Sequence, residues 1–255
     1  MRILHIKNVA NYAWRLAQAQ KRLGHDTVVW SRGDVYGFPY DALMPSGPLW
    51  NVWMARRLRL LRDFDVVHIH GGIWRGEASY ALLTLLRAKI FIHHHGSETR
   101  TGNGLHWQWV ADGHFYTPPD IASVLPGSKW LPQVIDLPPD PAPFMENEQP
   151  LFVHFTTSEA NKGTSQVIDM FSRAFGPLIP MDLPVQQGSK TLYYGNGASL
   201  WVLRGIPHYG VESVMKRADV VFDQIAPFGI YGYVAVEAMA LGRPVLATLD
   251  RALYP

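Results

Sequence analysis

The sequence predicts an α/β protein of two successive halves, each a parallel sheet flanked by helices. Short apolar runs alternate with helical patterns over residues 3–93, and the alternation resumes over 151–247. Between them the stretch PQVIDLPPDPAPFMENEQP (132–150) has six prolines and no helical period, which suits a semi-rigid linker. The chain's 255 residues, 47% of them hydrophobic, are enough for two modest cores. Strands separated by helices imply parallel pairing through right-handed crossovers.

In order, residues 3–6 read as a buried strand and 11–23 as a helix, with Ala13, Leu16, Ala17 and Leu23 on one side and Gly24 ending it. A strand follows at 27–30, a basic amphipathic helix at 50–61, a strand at 66–69, a helix at 79–87 and a strand at 89–93. Beyond the linker, strands are expected at 151–155, 191–194, 220–223 and 245–247. Helices are expected at 163–175 and 233–241, with a helical turn at 212–217. The expected domains are therefore 1–131 and 151–255.

Composition narrows the function. A net charge of +2 gives no reason to expect a nucleic-acid partner. The absence of cysteine excludes disulfides, thiol nucleophiles and thiolate metal sites, and fits a reducing compartment. The first residues carry Lys7 where a signal-peptide core would continue, and no stretch approaches the roughly 20 apolar residues that span a bilayer. A cytoplasmic protein is expected. The helix at 50–61 sets Arg56, Arg57, Arg59 and the following Arg62 near Trp50 and Trp53. That pattern fits an outer helix with a solvated face, and leaves open a peripheral contact with anionic membrane.

The most informative segment is PFGIYGYVAVEAMALGRPV (227–245). Gly229 and Gly232 permit a tight turn and close backbone approach, and amides opening the next helix can hold a diphosphate. Glu237 lies on an otherwise apolar helix, where a carboxylate needs hydrogen-bond partners; ribose hydroxyls would serve. A capped core helix whose glutamate reaches solvent fits the same pattern.

This segment resembles the donor-site signature of retaining GT-B glycosyltransferases, the glycosyltransferase family 4 type. Glu237 matches the ribose-binding glutamate, Gly232 the second glycine of the turn, and Tyr231 stands where phenylalanine is usual. Gly229 occupies the place of the glutamate that touches the transferred sugar. VHFTTSEANKGTSQVI resembles the first strand and helix of the donor domain, with Lys162-Gly163 at the diphosphate-binding lysine-glycine and Thr157 in place of an arginine. KWLPQVIDL is similar to the interdomain turn, with Gln133 for asparagine and Asp136 retained. FDVVHIHG and IHHHGSETR match two strand ends of the acceptor domain. His95 corresponds to the active-site histidine, with Gly96, Ser97 and Arg100 beside it, and Asn8 to Asn11 to the loop after the first strand.

The resemblance implies two Rossmann-like domains with parallel sheets facing across a cleft, the C-terminal one short or truncated and its exposed sheet edge open to self-association. It implies hexosyl transfer, with retention, from a nucleoside diphosphate sugar to a sugar, lipid or small-molecule acceptor, without cofactor or obligatory metal. Lys162 would stabilise the departing diphosphate, Glu237 would anchor the ribose, and His95 would position the acceptor or the sugar. Two alternatives remain. A non-catalytic sugar-nucleotide binder fits Gly229 and Thr157. A metal-dependent hydrolase would use His68, His70 and the cluster His93 to His95, although no downstream carboxylate–histidine grouping completes such a site. A dinucleotide-dependent dehydrogenase is disfavoured, since KNVANYAW follows the first strand where a Gly-rich loop would be needed.

Overall fold

A computed structural model of the chain describes residues 1–33, 36–45, 56–57, 60–71, 87–100, 108–138, 147–225 and 229–254. Two compact units divide it between Val134 and Ile135, at the start of the Pro-rich stretch. Residues 139–146 of that stretch, and 79–86 of the expected helix, lie outside the described residues.

The first unit is a seven-stranded sheet in the order β3-β2-β1-β4-β5-β6-β7, parallel throughout. Its strands are β1 (Arg2–Ile6), β2 (Asp26–Ser31), β3 (Ala42–Leu43), β4 (Val66–His70), β5 (Lys89–His94), β6 (Gly113–Tyr116) and β7 (Lys129–Trp130). The central strands alternate with a period of two, which sends successive side chains to opposite faces. One face carries Leu4, Ile6, Val67, Ile69, Ile90 and Ile92, packed with Trp30, Leu61 and Phe64. The opposite face carries imidazoles. His5 pairs in register with His68, and His70 with His93.

Helix α1 (Tyr12–Arg22) buries Tyr12, Ala13, Arg15 and Ala17. The sequence pattern put Leu23 on the inner side, but it is 76% exposed, because the helix ends at Arg22 and Leu23 falls in its C-cap. Of the basic helix, Arg56, Arg57, Leu60 and Leu61 are described as helical; Leu61 is fully buried and Arg56 exposed, the arrangement of an outer helix. Trp50, Trp53 and Arg59 lie outside the described residues. Among the described residues no helix is long and apolar enough to cross a membrane.

The second unit is a six-stranded sheet, β13-β12-β8-β11-β10-β9. The strands are β8 (Leu151–Thr156), β9 (Ile179–Leu183), β10 (Ser189–Gly195), β11 (Ala198–Arg204), β12 (Val220–Phe222) and β13 (Val245–Leu246). The expectation of a purely parallel sheet fails here, since β10 runs antiparallel to both neighbours. The cause was visible in the chain as Gly195-Asn196-Gly197, an Asn-Gly hairpin signal between alternating apolar residues. β9 carries Pro180 and exposes Ile179 and Met181; it pairs only on one side, where proline is tolerated. Helices α3 (Glu159–Lys162) and α4 (Thr164–Phe175) follow β8, α5 (His208–Met215) follows β11, and α6 (Tyr233–Ala240) lies between β12 and β13. The expected turn at 212–217 is thus the end of a helix that starts four residues earlier.

Asp219 ties the chain after the linker to this sheet. Its buried carboxylate accepts from the Leu151 amide at 2.6 Å and the Asn147 side chain at 2.7 Å. Replacing it by alanine strands the Leu151 N–H in the core. Asp219→Ala is expected to lower the stability of the second unit by about 1–3 kcal/mol in guanidinium unfolding, whereas an exposed control such as Asp26→Ala should change it far less.

Candidate functional site

In open α/β sheets ligands bind beyond the carboxyl ends of the strands, and both units concentrate polar side chains there. In the second unit, β12 ends at Phe222 and Asp223 follows, fully buried. Its Oδ1 accepts from Lys162 Nζ at 2.7 Å, and its Oδ2 from the backbone amide of Gly232. The Lys162 carbonyl in turn accepts from the Ile225 amide at 3.2 Å, so the lysine is fixed at both ends. The two donors that the sequence assigned to a diphosphate therefore meet at an internal carboxylate that sits between them. Asp223 was not among the expected site residues. Its signal was a lone acid ending the apolar run VVF at a strand terminus.

Gly232 leaves room for the polar side-chain ends gathered around it. A Cβ there would lie 2.6 Å from Lys162 Nζ and 2.9 Å from Gln224 Oε1. Gly229 is required by conformation as well: its φ is +62°, and a Cβ would lie 2.6 Å from that of Asp250. The Gly229 carbonyl also accepts from the Asp250 amide at 2.9 Å. The glutamate of the family pattern is thus absent for a local reason. Tyr231 stacks on Tyr254 with centroids 5.3 Å apart, and its amide donates to the Tyr254 hydroxyl at 3.1 Å. Burial raises the Tyr231 hydroxyl pKa.

Glu237, on α6, accepts from His208 Nε2 at 2.7 Å. The carboxylate on an apolar helix thus has a partner from α5, 29 positions away along the chain. Gly163 separates α3 from α4 in a left-handed conformation. Thr157 is exposed just beyond β8. Nearby, Arg204 at the end of β11 pairs with Glu159 and donates to Thr191 Oγ1 at 3.0 Å.

Behind this group His154 is fully buried, with Nδ1 3.2 Å from the Phe222 carbonyl and Nε2 3.0 Å from Thr164 Oγ1. The carbonyl only accepts, so Nδ1 carries the proton and Nε2 accepts from the threonine. Burial, with the Lys162 charge acting in the same direction, lowers its pKa to about 4.

In the first unit the loop after β1 holds every described non-glycine residue with positive φ: Lys7, Ala10 and Asn11. Three such residues in five fall at the point where the sheet order reverses between β1 and β4, so uncommon backbone conformation is concentrated there. Asn8 builds the loop. Its amide nitrogen donates to Asn11 Oδ1 at 3.2 Å and the Pro39 carbonyl at 2.9 Å, while its Oδ1 accepts from the Trp14 amide at 3.1 Å. Tyr12 follows, with its ring 4.5 Å from that of His93 and 5.1 Å from that of His95.

Beyond β5, His95 Nε2 lies 3.3 Å from His70 Nδ1. Gly96 has a φ of +110°, and the Arg100 guanidinium lies over it. Ser97 opens the short helix α2 (Ser97–Arg100), and Arg100 binds Asp120 through both carboxylate oxygens at 2.6 and 2.8 Å. Desolvation keeps the histidines of this face neutral. It lowers His5 to about 4 and His95 to about 3, the latter with help from Lys7, and holds His68, His70 and His93 well below the ordinary value.

Residues 9–120, which include His95 and the loop from Val9 to Asn11, match Glycosyltransferase Family 4. The fold is GT-B-like, with two Rossmann-like α/β units. A UDP-GlcNAc 2-epimerase from Neisseria meningitidis, bound to UDP-GlcNAc, superposes with a TM-score of 0.55 at 14% identity, over 99% of this chain and 84% of that one. The UDP-GlcNAc 2-epimerase of Methanocaldococcus jannaschii gives 0.55 at 11% identity, over 97% and 83%. The S. aureus MnaA–UDP co-structure gives 0.54 at 12% identity, over 96% and 78%. A search of curated protein sequences returns no match.

Two expectations follow. Gly229→Glu, which restores the acid of the family pattern, should lower the melting temperature rather than strengthen ligand binding, because the left-handed backbone and Asp250 oppose any side chain there. A wild-type melting temperature in that variant would contradict this account. His154 has a folded pKa depressed below its unfolded value, so its contribution is complete above pH 6.5 and is lost as the pH falls towards about 4. Over that window the loss amounts to about 3 kcal/mol. His154→Gln should reduce the pH slope of unfolding free energy between pH 6.5 and 4 by the equivalent of about one proton.

Proposed function

We propose that the protein binds a nucleoside diphosphate sugar through its second unit and transfers the sugar, with retention of configuration, to an acceptor recognised by its first. The observation that carries this reading is the grouping of Lys162, Gly232 and Asp223 at the strand ends, next to the helix that bears Glu237. The family 4 match of residues 9–120 and the UDP and UDP-GlcNAc complexes among proteins of similar fold support it.

The chemistry is electrostatic. As the bond between sugar and diphosphate breaks, negative charge grows on the leaving phosphate, and donors already in place stabilise it without reorganisation. Lys162 has three donor hydrogens, and one of them is given to Asp223. The others, with the amides that open α6, are directed to the diphosphate. Asp223 holds the lysine in position and balances its charge until the ligand arrives. His208 orients the Glu237 carboxylate, which accepts from ribose hydroxyls. His95, neutral at physiological pH, positions the acceptor or the transferred hexose by hydrogen bonding rather than by charge.

A second reading is favoured by the fold likeness to sugar-nucleotide epimerases: isomerisation of the bound sugar with no acceptor. Product analysis separates the two, since an epimer formed from UDP-GlcNAc alone supports isomerisation, and a glycosylated acceptor supports transfer.

Binding is tested by thermal shift with UDP, UDP-GlcNAc and sugar nucleotides of other bases. A ligand at about 100 times its dissociation constant should stabilise the wild type by about 2.7 kcal/mol. Lys162→Ala and Glu237→Ala should remove most of that shift. Gly232→Ala should fold, since the atoms it displaces are the ends of flexible side chains, yet lose nucleotide affinity because it dislodges the lysine amine. No stabilisation of the wild type by any nucleoside diphosphate would overturn the proposal.

A further inference from the structure

The imidazole face of the first sheet contains a grouping that glycosyl transfer does not use. His5 on β1 and His68 on β4 stand side by side in the parallel register, and His70 follows two residues later on the same face. All three are buried, and each offers one ring nitrogen within 4.8 Å of those of the other two. The sequence grouped the pair on β4 with the His93 to His95 cluster; the fold brings in His5 instead, from 63 residues upstream of His68.

We propose that His5, His68 and His70 form a binding site for a divalent transition-metal ion of the zinc type. His68 Nε2 is buried with no hydrogen-bond partner among the described residues, an arrangement that folded proteins rarely keep without a ligand or water. His5 Nδ1 and His70 Nε2 are 3.0 Å apart. Two nitrogens on one ion, each about 2.0–2.1 Å from it, are separated by roughly this distance. The far nitrogen of His5 lies 2.7 Å from Gln20 Oε1, the kind of outer contact that orients a metal-bound imidazole.

The donor set selects the ion. Three neutral imidazoles suit zinc, cobalt, nickel or copper, whereas calcium and magnesium need oxygen ligands. A fourth position is left for water or an anion. A second trio, His70, His93 and His95, is also close. There, however, the His93 and His95 rings stack at 4.5 Å with planes 18° apart, so their lone pairs lie in separate, nearly parallel planes, a poor arrangement for meeting on one ion.

The ion would also reverse a chain of hydrogen bonds. In the metal-free chain His5 Nε2–H donates to Gln20 Oε1, so His5 Nδ1 accepts from His70 Nε2–H, and His70 Nδ1 accepts from His95 Nε2–H. Metal on His70 Nε2 leaves the proton on Nδ1, which then donates to His95 Nε2. The tautomer of His95 thus depends on occupancy.

The test uses the full chain without a histidine tag, stripped with chelator and titrated with Zn2+ or Co2+. After gel filtration the wild type should retain one ion per chain by elemental analysis, and Zn2+ should raise its melting temperature. His5→Gln and His68→Gln should each lose the stoichiometric ion, while His93→Gln should keep it. Gln20→Leu, which leaves the three ligands in place, should weaken binding by about 10-fold or more. Nitrogen-15 spectra of the labelled histidines should show the His95 tautomer switching on metal addition. Three results would each overturn the proposal: no retained ion in the wild type, an ion retained by both His5→Gln and His68→Gln, or an ion lost on His93→Gln but kept on His5→Gln.

Discussion

A strand covered on both faces leaves no wet side for a polar side chain, and this constraint organises the central, parallel strands of both units. A strand residue that is not apolar must find a partner inside or lie at the carboxyl end, where the sheet opens towards ligands. In the first unit, one face of β1, β4 and β5 satisfies the rule with aliphatic residues. The other carries imidazoles that bond to one another, to Gln20 and to Thr117 under the cover of α1. In the second unit, His154 is fixed between a backbone carbonyl and Thr164. Asp223, at the strand end, gathers the lysine and the helix amide.

The same constraint links stability to electrostatics. Buried histidines cannot hold charge at low cost, so they are kept neutral and become hydrogen-bonding groups of defined direction. Neutral imidazoles are also the form that accepts protons and ligates metals. In the second unit the balance is different. A buried carboxylate is tolerated because a lysine and an amide meet both of its oxygens, and the lysine is thereby held where a diphosphate would need it.

Much of this was legible in the chain. The alternation of apolar runs with helical patterns placed β1, β4 and β5 of the first sheet and β8 and β12 of the second. The spacing from Gly232 to Glu237 located the turn and helix of the second unit. The β10–β11 hairpin departs from the helix–strand alternation, and its sign in the chain is a single Asn-Gly turn. Leu23 fits the spacing of a helical stripe, but the helix stops one residue earlier and leaves it exposed.

The sequence alone determined the α/β class, the two successive halves and the Gly-rich turn and helix of the second unit, because periodicity and turn residues are local properties. The partners of those segments were decided only by the tertiary structure. Asp223 with Lys162, His208 with Glu237, and His5 with His68 and His70 are each brought together by strand order. A parallel sheet places strands beside each other across long crossovers, so its register joins residues that no spacing along the chain relates. Gly229 marks the boundary between the two kinds of information. The chain shows that an acid is missing there, and the fold shows that Asp250 and a left-handed backbone leave no room for one.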